Sequence, residues 1–90
     1  MDEFRLHCYA QKGRRQEIKI EENIYANNSE EAKKLLINIL EKYSLNYSYI
    51  SVMCLTAGYS DKEKANLNFP INPELANKFY LHEKLRRYSR

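Results

Sequence analysis

Asn28-Ser29-Glu30-Glu31-Ala32-Lys33-Lys34-Leu35-Leu36-Ile37-Asn38-Ile39-Leu40-Glu41-Lys42-Tyr43 is the stretch on which the fold turns. Ala32, Leu35, Leu36, Ile39, Leu40 and Tyr43 recur at the i, i+3, i+4, i+7 spacing of one helix face, while Lys33, Lys34, Asn38, Glu41 and Lys42 fill the other. Asn28 stands where an N-cap belongs, and Glu31 three residues on completes a capping box. Glu30 and Glu31 also lie near the positive end of the helix dipole. Such a stripe is core, so the flanking segments must supply an apolar surface for it.

Upstream, Phe4, Leu6, Cys8 and Ala10 alternate with Arg5, His7, Tyr9 and Gln11, the period of two expected of a half-buried strand. Lys12-Gly13-Arg14-Arg15 reads as a turn, with Gly13 able to take positive φ. Ile18, Ile20, Ile24 and Ala26 then share one parity, which makes a hairpin; Glu22 interrupts that face and predicts a bulge or a strand leaving the core. Downstream, Tyr47 to Ala57 is rich in β-branched and aromatic residues. Ile50, Val52 and Cys54 point one way and Tyr49, Ser51, Met53 and Leu55 the other, as in a central strand or one covered on both faces. A right-handed crossover through the helix sets this third strand beside the first. The expected fold is α+β: a three-stranded ββαβ sheet of order 3-1-2 packed on one helix, followed by a C-terminal helix.

Residues 1–90 make one domain, with the ββαβ unit at 1–57, a loop at 58–73 and the last helix at 74–88. Ser60-Asp61-Lys62-Glu63 is a second capping box and predicts a short helical turn inside that loop. Pro70 and Pro73 keep their predecessors extended, and Asn72 and Pro73 begin the last helix. On it, Leu75 and Phe79 share a side with His82 and Arg86, whereas Leu81, Leu85 and Tyr88 lie on another. One stripe packs on the sheet. The other is left for a partner, or the helix bends and both are core.

Composition excludes several function classes. The longest strongly apolar run, Leu35-Leu36-Ile37, falls far short of the ~20 residues that a membrane span needs. Met1-Asp2-Glu3-Phe4 is acidic where a signal peptide is basic, which predicts a cytoplasmic protein. Cys8 and Cys54 are too few for a secreted disulfide framework and read as buried apolar residues. His7 and His82 lack a second His or Cys at metal-ligand spacing, so neither a metal nor another cofactor is expected. No nucleophile elbow, phosphate loop or dinucleotide glycine fingerprint occurs. Glu21-Glu22 and Glu30-Glu31 are neighbours that point apart and do not share a proton. The expectation is a non-enzyme. Asn, Lys, Ile and Tyr supply 33 of the 90 residues, which suits an AT-rich bacterial or mobile-element source.

The net charge of +3 is unevenly spread: +2 over residues 1–20, −2 over 21–65 and +3 over 66–90. The basic C-terminus supports a regulator or inhibitor that binds another protein, itself included. Leu81, Leu85 and Tyr88 are the expected anchors, with Arg86, Arg87 and Arg90 as a cationic rim. The alternative is binding of RNA or another single-stranded nucleic acid on a basic, aromatic sheet face carrying Arg5, Tyr9, Arg14, Arg15 and Tyr49.

Overall fold

A computed structural model describes residues 1–72, 77 and 80–90. The expected helix start at Pro73 and the Leu75/Phe79 stripe lie outside those residues. Strands β1 (Asp2–Gln11) and β2 (Ile18–Ala26) form an antiparallel hairpin, and β3 (Asn46–Cys54) pairs antiparallel with the other edge of β1. The sheet order β2-β1-β3 matches the 3-1-2 expectation, and the whole is a small α+β fold with helices α1 (Ser29–Lys42), α2 (Asp61–Asn66) and α3 (Tyr80–Ser89). No described helix is long and apolar enough to cross a membrane.

The alternation in β1 becomes the floor of the core. Phe4 opposes Ile24, Cys8 opposes Ile20, and all four are buried. Helix α1 is capped as its sequence requires, Asn28 Oδ1 accepting from the Glu31 N–H at 2.8 Å. At its other end Ser44 takes φ 55°, and the N–H groups of Ser44 and Leu45 return to the carbonyls of Glu41 and Leu40. This Schellman motif brings buried Leu45 against buried Leu40 and turns the chain into β3.

The last helix corrects one expectation. Helix α3 joins α1 on the same face of the sheet and helps to roof the core. Leu81 and Leu85 are 2% and 0% exposed and belong to the central cluster with Leu6, Ile20, Leu36 and Leu40. Tyr88 packs against that cluster and bolts α3 to the hairpin turn: its hydroxyl donates to Gln16 O and accepts from the Lys12 N–H. The stripe read as partner anchors is therefore the one that closes the core. Between α1 and α3 runs a cleft of about 340 Å³ whose lining includes Leu35, Ile39, Leu81 and His82.

Glu22 is a second correction. The β1–β2 ladder is continuous through the Leu6–Glu22 pair, with no bulge. The carboxylate stays half-buried on the core face, where Lys84 of α3 reaches it at 3.7 Å. The bulge falls in β3 instead.

Beyond β3, Ser60 caps α2 by accepting from the Glu63 N–H at 3.2 Å. Lys64 on α2 reaches Asp2 at 2.8 Å, and buried Thr56 donates to the same carboxylate oxygen. Lys64 and Thr56 together hold the Asp2 carboxyl below its ordinary value of 3.8.

Candidate functional site

Because α1 and α3 share one face, neither of them covers the centre of the opposite face of the sheet. Its centre is built from the polar parity of β1 (Arg5, His7, Tyr9), from Lys19, Glu21 and Asn23 of β2, and from Tyr49, Ser51 and Met53 of β3. Tyr49 and Met53 stand out at 68% and 60% exposure.

The bulge shapes this face. His7 pairs with Ser51 and Tyr9 with Ser48, so β3 spends Tyr49 and Ile50 opposite the single residue Cys8. Tyr49 accommodates the extra residue at φ 54°, a conformation that costs a bulky side chain roughly 1–2 kcal/mol. The ring recovers that cost. Its centroid lies 5.5 Å from His7, edge-on, and 6.2 Å from Tyr9, with His7 and Tyr9 themselves 5.4 Å apart. Aromatic pairs of this geometry each contribute about 0.5–1.5 kcal/mol beyond their buried area. The His7 Nε2 atom is buried there without a hydrogen-bond partner.

The charges on this face cancel. Arg5 lies 3.5 Å from Glu21 and donates to Asn23 Oδ1 at 3.0 Å, while Lys19 reaches Glu21 at 3.1 Å. The pair shifts both partners in the stabilising sense: Glu21 titrates below its usual range because of Lys19, and Lys19 above its own because of Glu21. Asn23 in turn donates to Glu3. Two cations and two carboxylates across one face leave no cationic surface for phosphates.

Of the expected nucleic-acid residues, Arg5, Tyr9 and Tyr49 do come together here. Arg14 and Arg15 do not: they sit on the hairpin turn, and Arg15 donates to Tyr88 O at 2.7 Å, at the C-terminal end of α3. Of the expected protein-binding residues, only Arg86, Arg87 and Arg90 remain exposed. Arg86 and Arg87 hold Glu83 of their own helix at 3.1 and 3.3 Å. That link was legible as an i, i+3 and i, i+4 spacing. Met53 was not singled out, although its parity with Tyr49 and Ser51 already placed it on this face.

Cys8 is buried beneath the sheet, and burial pushes its thiol up to about 11, far from a reactive thiolate. Among the described residues no group of three His, Cys, Asp or Glu side chains is arranged to hold a metal. In comparisons with known proteins, no family model, curated protein or solved structure matches this chain.

Proposed function

We propose that this chain is a small non-enzymatic binding protein that docks other proteins through the sheet face opposite α1 and α3, at β3, with Tyr49 and Met53 as anchors over His7 and Tyr9. The observation that supports this reading is the pairing of large exposed apolar side chains with cancelled charge on one face. Interface centres are poor in net charge and rich in aromatics and Met. The outward cations of α3 serve at most as a rim.

A second reading, single-stranded nucleic acid stacked on the His7–Tyr9–Tyr49 rings, draws support from that ring cluster alone. Backbone affinity scales with the phosphates neutralised, at a salt slope of roughly −0.7 per contact on single strands. The face offers no net cation for that term.

Photo-crosslinking separates the two. Benzoylphenylalanine at Tyr49 or Met53, in cells that express the chain, is expected to give discrete protein adducts, and the same probe at Glu30 to give none. Adducts that vanish with ribonuclease or deoxyribonuclease would transfer the function to nucleic acid. Absence of any adduct at both positions would remove this face from consideration.

A further inference from the structure

The two edges of the sheet are unlike. β2, Ile18–Ala26, carries Lys19, Glu21 and Glu22. Charges on an edge strand discourage a further strand from pairing with it. β3, Asn46–Cys54, runs nine residues without a single charge, and its core-side residues Ile50, Val52 and Cys54 are only partly buried. The Leu55 N–H donates to Glu3 O at 2.8 Å. Antiparallel pairs alternate, so Met53 and Ser51 direct their backbone groups to β1, while Val52 and Cys54 direct theirs outward. No described residue bonds to those outward groups.

We infer that a second copy of this chain pairs with β3 along its outer edge, antiparallel and two-fold symmetric about Met53, to give one six-stranded sheet. The inference rests on the docking reading above and names its partner. In this register Val52 and Cys54 of one copy exchange hydrogen bonds with Cys54 and Val52 of the other. Met53 faces Met53 across the axis, in the close, non-hydrogen-bonded type of pair on the Tyr49 face.

Charge favours this occupant and this direction. In this register residues 46–54 of one copy face residues 52–60 of the other, and residues 46–60 carry no charge that could meet a like charge. Within the sheet, the two Arg5 residues that flank the axis are three strand spacings apart, roughly 14 Å, beyond the ~8 Å screening length of physiological salt. The basic hairpin turn and the C-terminus of α3 meet at one end of the sheet, where Arg15 bonds to Tyr88 O. Antiparallel pairing sends those two basic poles to opposite ends of the assembly; parallel pairing would put them side by side.

The test is sedimentation of the purified full-length chain in reducing buffer, which removes disulfide dimers through Cys54. Wild type should pass from monomer to dimer between about 1 µM and about 1 mM, the weak range expected of an interface at the small end. Met53→Glu and Met53→Lys should each be monomeric throughout, and their equimolar mixture should recover the dimer. The Val52 and Cys54 amides of wild type should exchange hydrogen more slowly as concentration rises. A wild type monomeric at the top concentration, or a Met53→Glu protein that dimerises like wild type, overturns the inference. Crosslinks from Tyr49 to other proteins beside a monomeric chain would sink this inference and leave the docking reading standing; neither crosslinks nor a dimer would sink both.

Discussion

Replacing Leu85 by Ala is the sharpest probe of what the last helix does. Leu85 is fully buried among the side chains of sheet and helix. Truncation removes the equivalent of three methylenes, about 2.4 kcal/mol at about 0.8 kcal/mol each. The cavity left behind raises the cost to about 3–5 kcal/mol, the range seen for buried leucines. A ninety-residue domain holds roughly 5–13 kcal/mol in all, so about a quarter or more of the stability goes. Urea unfolding followed by circular dichroism reads this directly. With a slope near 1 kcal/mol per molar, the midpoint should fall by about 3–5 M with the slope unchanged. Leu67→Ala, at a residue 48% exposed, should move it by less than about 0.5 M. If Leu85→Ala also shifts the midpoint by less than about 0.5 M, α3 is not docked and its leucines are available to a partner after all.

Two further outcomes follow from local geometry. Ser44→Gly relieves the positive φ of 55° at the end of α1 and should raise stability by about 1 kcal/mol, seen as a thermal midpoint about 4–8 °C higher. Lys64 and Thr56 depress the Asp2 carboxyl below 3.8, so the stability it contributes is complete above that value and drains away as pH falls through the folded-state value. Asp2→Asn should therefore be less stable than wild type near neutral pH, with the gap closing in acid; a gap that stays constant down to about pH 2 would contradict the assignment.

Much of this molecule was legible from pattern. The apolar stripe of α1, its Asn28 cap and the alternation in β1 are local signals, and each element formed where its residues required. Three features were not legible, for separable reasons. Tyr49 adopts positive φ without the Gly or Asn that would announce it, because the neighbouring rings of His7 and Tyr9 supply the compensation. Glu22 looked like a break in β2, since the cation that tolerates it on the core face, Lys84, lies far along the chain. The Leu81/Leu85 stripe had two consistent readings in helical projection, and only the placement of α3 beside α1 chooses between them. The candidate face was half visible: parity placed Arg5, Tyr9 and Tyr49 together, but the cancellation of Arg5 and Lys19 by Glu21 depends on the strand register.

The completion of the core by Leu81, Leu85 and Tyr88 also sets a clock on synthesis. The sheet is finished at Cys54, yet its lid arrives only with residues 81–88. At about 5–20 residues per second, a ribosome takes roughly 2–7 s to cover that interval. During it the nascent chain presents an apolar floor roofed by α1 alone and an uncharged strand edge. Both attract strangers. Maturation here is thus a race between the arrival of α3 and the first unwanted neighbour.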